Sequence, residues 1–586
     1  MDERRRQSVR RQDPGGLAVS RPASGGPAAE PWVVPASYAQ ERVWFASQLT
    51  GGDPVYHVAD EVAVRYRLSA QDVLAALACC CERHETLRTS FCLRDGALMQ
   101  AVHSHIDLKV DQLDLSWLTE EEQRRRITEL FEQLVGMPIP LDQPPLWRAA
   151  LVRRGTASWV LLFVAHHAVF DAGSVLNLRA ELTELCAAAA QARPASLPEL
   201  RVQYADYAVW QRDQLAAGRL DELLAFWRAA LADLPAVHGL PTDLPRPVER
   251  SFAGNDLIFP LPDGAERAAA SVARQACATP FMVMFAAYAA LLHHLCRSDD
   301  IVIGLPVAGR DRPELQPLIG MFVNMVVVRV DVRGNPAFSE LLGRVRHALL
   351  DAWDHQEMPF QKLVEVLAER RDAGLPPLYQ IGFNYLSIGF SRASAAAEDD
   401  LMLEVSNGYG RLEYSTALFT EQTARRIADG YVRVLRAVTA DPHVPMSELA
   451  TEARPEQPAG AMPGQQPDRM AVRSGNPPEP PAQAGRPAYQ PPRTAAEELV
   501  ARVWSEVLGQ DQVGALDDFF DLGGHSLLAL RVIARLSAAA GIELPIQSFF
   551  INTTLAGVAA ELERLLTAEL NQMPDEEAAR LLAGEG

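Results

Sequence analysis

The sequence predicts an α/β protein with a large two-lobed body, followed by a small helical bundle. Apolar strand-like runs alternate with helical patterns over residues 32–450, which is typical of α/β layers. A body of this length favours two lobes, about 32–210 and 250–450. Residues 451–492 contain eleven of the 41 prolines, a composition typical of an extended linker. Three successive helix signals over 493–569 indicate a bundle.

The elements follow from hydrophobic periodicity and from residues typical of helix ends. In the body we predict helices over 71–84, 120–134, 176–190, 280–295 and 339–356, and strands over 107–113, 158–165, 300–305 and 322–332. In the bundle, Thr494 and Glu497 form a capping-box pair before the first helix. The second helix runs from Ser526 to Gly541, and the third begins near Thr554.

Composition excludes several classes of function. A net charge of −20 without a large basic face argues against nucleic-acid binding. The sequence contains no run of about 18 apolar residues, the length that a membrane-spanning helix requires. The seven cysteines form no CxxC pair, which favours reduced thiols in a cytoplasmic protein over disulfides or a zinc or other metal site. Residues 1–31 contain arginines but no apolar segment, so we predict a disordered leader rather than a secretory signal.

Lysine content argues against nucleotide activation by this chain. The only lysines are Lys109 and Lys362, and neither is followed by serine or threonine. The sequence therefore has no phosphate-binding loop of the GxxxxGK[ST] type.

The first candidate site follows the apolar strand 158–165. His166 and His167 end this strand, and Asp171 comes four residues after the second histidine. A neutral imidazole suits the orientation of a nucleophile and the acceptance of its proton. We expect Asp171 to shape the loop through hydrogen bonds and an arginine contact, with Arg88 as the candidate partner. The alternative is a strand end whose histidines and aspartate only satisfy one another.

A second histidine pair serves as an internal control. His293 and His294 are followed by Asp299, but they lie at the end of a predicted helix. We interpret this pair as a partly exposed helix end without catalytic function.

The second candidate site is Ser526. It opens a predicted helix behind Gly523 and Gly524, where its hydroxyl would lie near the positive end of the helix dipole. This position favours a phosphodiester. A plain N-cap serine is the alternative.

Several segments together resemble a known family. Residues 518–527 resemble the phosphopantetheine attachment motif of peptidyl carrier domains. The body resembles a condensation domain of nonribosomal peptide synthetases over essentially its whole length, through motifs at residues 37–45, 83–91, 166–174, 204–211, 303–310, 319–324 and 355–360.

The resemblance implies two chloramphenicol-acetyltransferase-like lobes in a V, with His167 in a tunnel between them. It implies His167, His166 and Asp171 as catalytic-motif residues, with Arg88, Gly173, Ser174 and Asn324 in support. It also implies covalent phosphopantetheine on Ser526, attached by a phosphopantetheinyl transferase. An upstream donor carrier protein would deliver the acyl group.

The chain departs from the family pattern at two places. Ala172 stands where the family has glycine after the aspartate, and a methyl group there would disturb a tight turn or narrow the tunnel. No adenylation domain lies between the body and the carrier, so we expect a separate adenylating enzyme to load Ser526. The acidic tail, residues 570–586, fits either a docking segment for a downstream synthetase or a solvated terminus.

Three functions remain open at this stage. The first is amide formation between a carrier-bound acyl or peptidyl thioester and a carrier-bound amine. The second is ester formation onto a hydroxyl acceptor, and the third is a catalytically silent scaffold that recruits partner enzymes to the carrier.

Overall fold

The structure of the protein is a computed structural model that describes most of the condensation-like body and most of the bundle. The described residues are 30–49, 54–94, 97–235, 237–247, 250–367, 375–386, 397–449, 489–519, 521–524, 526–542, 544–545, 548–549 and 552–572. The predicted leader, linker and tail lie outside these ranges except at their inner ends, residues 30–31, 489–492 and 570–572.

Strands and helices alternate along the described chain. The strands are β1 Trp32–Pro35, β2 His57–Val64, β3 Thr89–Arg94, β4 Ala97–Val102, β5 Val110–Asp114, β6 Trp147–Gly155, β7 Ser158–His166, β8 Gly254–Pro260, β9 Asp300–Val307, β10 Asn324–Asp331, β11 Ile381–Tyr385, β12 Leu401–Ser406 and β13 Tyr409–Ser415. The helices are α1 Tyr38–Leu49, α2 Ala70–Arg83, α3 Glu120–Gly136, α4 Ala172–Ala190, α5 Tyr204–Gln214, α6 Leu220–Ala230, α7 Ala265–Gln275, α8 Pro280–Cys296, α9 Phe338–Asp354, α10 Phe360–Leu367, α11 Glu421–Ala440, α12 Ala495–Leu508, α13 Ser526–Ala540 and α14 Leu555–Gln572. The predicted α/β class is confirmed.

The chain divides into two compact units. One lies within Met1–Pro260, Asp300–Asp331 and His347–Ala424, and the other within Leu261–Asp299, Val332–Arg346 and Arg425–Gly586. The first contains three sheets, with strand orders β1-β4-β3, β2-β7-β6-β5 and β10-β9-β11-β12-β13-β8.

Strand β7 explains the long apolar run in the sequence. It lies between β2 and β6, both antiparallel to it, and residues 159–166 are all buried. Helix α4 contacts both α2 and β2. Side chains on both faces of β7 therefore lie in the core, and its sequence is continuously apolar instead of alternating.

Helix α4 begins four residues earlier than the sequence predicted. Asp171 is its N-cap, and the Asp171 carboxylate accepts a hydrogen bond of 2.7 Å from the backbone N–H of Ser174. Periodicity over 176–190 did not reveal this first turn, because an N-cap aspartate satisfies helix donors without an apolar neighbour. The last residue of the histidine motif thus starts a helix.

The second unit contains a very apolar helix and the small bundle. Helix α8 is buried from Phe281 to Leu292 and is capped by Thr279, with Pro280 at its first position. In the bundle, α12 contacts α13 and α14, and the rings of Trp504, Phe519 and Phe549 contact one another.

The ends of the bundle helices follow the sequence closely. Thr494 caps α12 as expected, since its Oγ1 accepts from the Glu497 N–H at 3.2 Å. The other half of the predicted capping box does not form, because the Glu497 carboxylate accepts from the N–H of Arg493 instead of that of Thr494. Gly541 follows α13 with a φ of +71°, the left-handed conformation of a helix stop. Helix α14 extends to Gln572, three residues beyond the predicted carrier boundary at 569.

Two findings concern chain chemistry and membranes. All seven cysteines lie in the described ranges and are free thiols. Among the described helices none alone has the length and apolar composition of a membrane span, although α7 and α8, bent by 98° between them, pass that test as a pair.

Candidate active site and carrier attachment site

The end of β7 holds the backbone of His167 in place. Beyond the last residue pair of the β2–β7 ladder, His57 with His166, the N–H of His167 donates to the carbonyl of Tyr56 at 2.7 Å. The carbonyl of His166 accepts from the N–H of Val169 at 3.0 Å, which turns the chain toward α4. His167 therefore stands on a rigid sheet end, a suitable support for a catalytic side chain.

The side-chain hydrogen bond of His167 fixes its tautomer. Its Nδ1 lies 2.8 Å from the carbonyl oxygen of Phe170. Because a carbonyl only accepts, Nδ1 bears the proton and Nε2 the lone pair. Burial, and then the charge of Arg42, lower the pKa of His167, against the Phe170 hydrogen bond and the carboxylates of Asp171 and Glu398, which raise it. The ring is neutral near pH 7, the state that a general base requires.

His166 has the opposite arrangement. Its Nδ1 accepts from the N–H of Ala168 at 3.1 Å, so its Nε2 bears the proton and lies 3.3 Å from Ser47 Oγ. The ring is 1% exposed, and burial, with the nearby rings of His57 and His167, lowers its pKa to about 3. Both ring nitrogens of His166 are satisfied inside the protein, which makes it a structural neighbour of His167.

Asp171 is buried and fully engaged. Its Oδ1 accepts from the Ser174 N–H at 2.7 Å and from Arg310 Nη2 at 2.7 Å, while Oδ2 accepts from the Phe322 N–H at 3.0 Å. The residue is 1% exposed. A buried carboxylate with these donors shapes the loop, as expected, and its oxygens are engaged by protein donors.

Arg310 is the arginine that contacts Asp171, and the assignment of Arg88 was wrong. Arg310 Nη1 donates to the carbonyls of Leu315 and Leu318 at 2.9 and 2.6 Å, and its guanidinium lies 4.1 Å from the centre of the Phe322 ring. Arg88 instead donates to the carbonyl of His103 and lies 3.9 Å from Glu85. Sequence separation gave no means of choosing between the two arginines, although Arg310 ends one of the quoted motifs.

The two residues that follow Asp171, Ala172 and Gly173, differ in what surrounds them. A Cβ at position 173 would lie 2.7 Å from Arg310 Nε, so glycine permits the close approach of the guanidinium. Ala172 is exposed, is the first residue of α4, and has no left-handed φ. The backbone at the departure from the family pattern therefore accommodates alanine without strain.

Ser174 belongs to the Asp171 network, and Asn324 does not. Ser174 Oγ lies 2.8 Å from Asp171 Oδ1 and accepts from the Gly320 N–H at 2.9 Å. Asn324 Nδ2 donates to the carbonyls of Gln356 and Met358 at 2.8 and 2.7 Å. Asn324 thereby ties the start of β10 to the segment before α10.

The distant motifs meet at residues 319–324. Thr86 Oγ1 donates to the carbonyl of Ile319 at 2.9 Å, and the Tyr204 hydroxyl donates to the carbonyl of Met321 at 2.5 Å. The same hydroxyl lies 2.7 Å from Ser37 Oγ. Three segments that lie far apart in the sequence, around Ser37, Thr86 and Tyr204, thus hold the buried residues 319–322 beside Asp171.

The loop before Ser526 is built on close backbone packing. A Cβ at Gly524 would lie 2.3 Å from the Phe519 ring and 2.5 Å from its carbonyl oxygen, and Gly523 has a φ of +88°. The Asp518 carboxylate anchors the loop by accepting from Thr553 Oγ1 at 2.6 Å. Ser526 is the first residue of α13, where helix N–H groups favour a phosphodiester. The site fits a phosphopantetheine arm.

No group of three or more metal-ligating side chains occurs in the part of the chain that the structure describes.

Comparison with known families places the chain. Residues 32–457 match the family model described as Condensation domain, and residues 498–562 match the one described as Phosphopantetheine attachment site. The first match covers well over half of the chain, which therefore belongs to the condensation-domain family, followed by a carrier domain. Condensation domains of nonribosomal peptide synthetases are acyltransferase-type enzymes, and the carrier domain indicates covalently attached phosphopantetheine.

Known relatives and solved structures agree with this placement. One protein of the linear gramicidin synthase of Brevibacillus parabrevis is 33% identical over 443 residues, which are 72% of this chain but only 9% of that relative. The X-domain from teicoplanin biosynthesis, solved in complex with OxyB, is 27% identical with a TM-score of 0.63 over 75% of this chain and 100% of that one. SgcC5 from Streptomyces globisporus is 26% identical with a TM-score of 0.61 over 70% of this chain and 100% of that one.

Proposed function

We propose that this chain forms an amide bond in a nonribosomal peptide assembly line. An acyl or peptidyl group would move from the thioester of an upstream donor carrier protein to an amine bound on a carrier. The observation that supports this reaction is the neutral ring of His167, with its proton fixed on Nδ1 and its lone pair on Nε2.

His167 acts on the acceptor in this proposal. Among the described residues none forms a hydrogen bond with its Nε2, and the ring is only partly buried. Nε2 accepts a hydrogen bond from the attacking amine and aims the nitrogen lone pair at the thioester carbonyl, and it receives the amine proton as the C–N bond forms. The C–S bond of the thioester then breaks, and the proton passes from Nε2 to the departing thiolate, which leaves as the free thiol of the donor carrier. The Phe170 carbonyl stabilises the protonated ring through Nδ1.

Asp171 and Arg310 act through position rather than by contact with substrate. Their ion pair is buried, since the two side chains are 1% and 6% exposed. It fixes the start of α4 against residues 319–322, and so fixes the loop from which His167 projects. Gly173 and Ser174 complete this support.

Ser526 is the proposed attachment residue. Phosphopantetheine supplies a thiol on a long arm, to which an acyl or aminoacyl group is bound as a thioester. The chain itself supplies the helix start of α13 and the tight turn at Gly523 and Gly524, which present the serine at the end of the bundle.

The carrier domain implies two classes of partner, a phosphopantetheinyl transferase and other synthetase modules. We further propose a separate adenylating enzyme that loads Ser526, and a downstream synthetase that docks on the tail. The tail beyond residue 572 lies outside the described residues. A cytoplasmic location accords with the seven free thiols.

Two solved relatives support ester formation and a recruiting scaffold as further candidate functions. SgcC5 was solved with (R)-(-)-1-(2-naphthyl)-1,2-ethanediol, a hydroxyl compound, which favours ester formation as the second candidate. The teicoplanin X-domain was solved in complex with OxyB, which favours a scaffold that recruits partner enzymes as the third.

One assay separates the three functions. The full-length chain is loaded at Ser526 with an aminoacyl or a matched hydroxyacyl pantetheine group, and a donor acyl carrier is added. The mass of the bundle then reports transfer, with Ser526→Ala as the control that cannot be loaded. Gain of the acyl mass with the amine supports amide formation, and gain only with the hydroxyl supports the ester. No gain across a broad panel, with loading confirmed, contradicts both.

A further inference from the structure

A second ion pair is connected to the loop of His167, and one of its two residues lies outside the family motifs. Arg42 on α1 lies with its Nη1 3.4 Å from Glu398 Oε1. The Arg42 side chain is 18% exposed and the Glu398 side chain 44% exposed. Glu398 precedes β12 and belongs to none of the motif segments quoted above.

Tyr56 joins this ion pair to His167. Its backbone carbonyl accepts from the His167 N–H at 2.7 Å, and its hydroxyl donates to Glu398 Oε1 at 3.4 Å. Tyr56 is only 3% exposed, and burial, followed by the charge of Glu398, raises the pKa of its phenol. The phenol therefore stays protonated and can only donate to the carboxylate. One residue thus contacts His167 through its backbone and Glu398 through its side chain.

The backbone of Glu398 is held independently of its carboxylate. The Arg250 guanidinium donates to the Glu398 carbonyl oxygen and lies 4.7 Å from the centre of the Phe252 ring. The Glu398 side chain therefore extends from a fixed point toward Arg42 and Tyr56. A substitution at the carboxylate leaves this anchor intact.

We propose that Arg42 and Glu398 are positioning residues for His167, a charge-balanced pair that Tyr56 joins to the backbone of this residue and whose two charges act on its ring in opposite directions. The proposal rests on the function proposed above. In particular, it assigns a role to Glu398. The charge of this residue acts electrostatically on the His167 ring, and Glu398 does not contact the substrate.

The charges around His167 make this pair the adjustable part of the site. The groups with the largest effect on the ring are the Phe170 carbonyl, Arg42, Asp171 and Glu398, and the neighbouring ring of His166 also interacts with it. Asp171 is sealed in its own buried ion pair with Arg310. Arg42 lowers the pKa of His167 and Glu398 raises it, so the two oppose each other. Charges that act on an ionisable group through protein rather than bulk water change its pKa measurably.

The test is a titration of the His167 ring by NMR in the full-length chain with labelled histidine. The signal is assigned by its loss in His167→Ala. We expect Glu398→Gln to lower the titration midpoint, because the Arg42 charge is then unopposed. We expect Arg42→Gln to raise it, and the double variant to return it toward the wild-type value.

A matched ion pair provides the control. Asp114 and Arg153 lie 3.3 Å apart with side chains 52% and 40% exposed, and neither is among the groups with the largest effect on His167. Asp114→Asn should leave the His167 midpoint unchanged. Unmoved midpoints in both Glu398→Gln and Arg42→Gln, or shifts of both in the same direction, would overturn the proposal, since lost structure alone moves both one way.

The acyl-transfer assay adds the functional readout. The acid limb of the transfer rate should move to lower pH in Glu398→Gln and to higher pH in Arg42→Gln. Because the NMR titration requires no turnover, a failure of this pair is distinct from a failure of the proposed function. The first appears as an unmoved midpoint in an active protein, and the second as a wild-type chain without transfer.

Discussion

The two histidine pairs of this chain use the same residue types and differ in almost every contact. His166 and His167 end a buried strand, whereas His293 and His294 lie in the last turn of α8. The aspartate after the first pair, Asp171, is 1% exposed, whereas the side chain of Asp299 is 55% exposed.

The local hydrogen bonds around the two pairs support the proposal that only the first pair takes part in catalysis. His294 Nδ1 lies 2.9 Å from the carbonyl of Ala290, four residues earlier in the same helix, and His293 Nδ1 lies 2.9 Å from the carbonyl of Ser298. These are ordinary helix-end contacts. At the strand end, a buried aspartate and Arg310 fix the whole loop. Nε2 of His167 has no hydrogen-bond partner among the described residues, and we propose that it acts on the substrate. Support around the histidine, rather than the dipeptide, distinguishes the site.

The largest expected effect concerns the buried ion pair of Asp171 and Arg310, which supports the first histidine pair. Arg310→Gln leaves the buried Asp171 carboxylate without its cation, and we expect the free energy of unfolding to fall by about 3–5 kcal/mol. Acyl transfer should fall about 10²-fold, because the loop of His167 loses its register. Chemical unfolding and the transfer assay measure the two effects.

A double-mutant cycle separates Arg310 from Arg88. Asp171→Asn combined with Arg310→Gln should recover part of the lost stability, since no charge is then left unpaired. Arg88→Gln should be additive with Asp171→Asn. Coupling of Asp171 to Arg88 instead of Arg310 would contradict the structure.

Acid stability is the next effect in size, and it tests the burial of His166. The pKa of His166 is about 3 in the folded protein, against roughly 6.5 for an unfolded histidine. Below about 6.5 the unfolded chain binds a proton that the folded one excludes, so this contribution is present at neutral pH and lost on acidification. At pH 5 the loss is about 2 kcal/mol.

Melting temperatures at pH 7 and pH 5 measure this loss. His166→Gln removes the titrating ring, so its melting temperature should fall less between the two pH values than that of the wild type. His294→Gln, at the helix-end pair, should not change the drop. An equal drop in all three proteins would show that His166 is not a buried neutral ring.

The smallest expected effect is at Ala172. Because this residue is exposed and begins α4 without strain, Ala172→Gly should lower stability by less than about 1 kcal/mol. The transfer rate should stay within about twofold of wild type. A gain of tenfold or more in the same assay would show that the methyl group obstructs the site after all.

The sequence predicted elements and motifs better than it predicted contacts. Periodicity located β7, α2 and α8 closely, since each has a long apolar pattern and clear end residues. It missed the first turn of α4, whose cap is the functional Asp171 itself. Apolar periodicity does not reveal an N-cap when the periodic apolar residues begin several positions after it, as they do in α4.

The candidate site was predictable in its motifs and unpredictable in its partners. His167, Asp171 and Ser526 follow from short motifs. Arg310 lies 139 residues from Asp171, and Glu398 more than 200 residues from His167. Pairing at such separations depends on the packing of sheets and loops, which a single sequence does not specify.

Single-turnover acyl transfer in three proteins tests the central claim most directly. Wild type, His167→Ala and His294→Ala are loaded at Ser526, checked for folding by circular dichroism and mixed with a donor carrier. We predict a loss of about 10²–10⁴-fold in His167→Ala and an unchanged rate in His294→Ala. Transfer by folded His167→Ala at the wild-type rate would contradict the assignment of His167 as the catalytic residue.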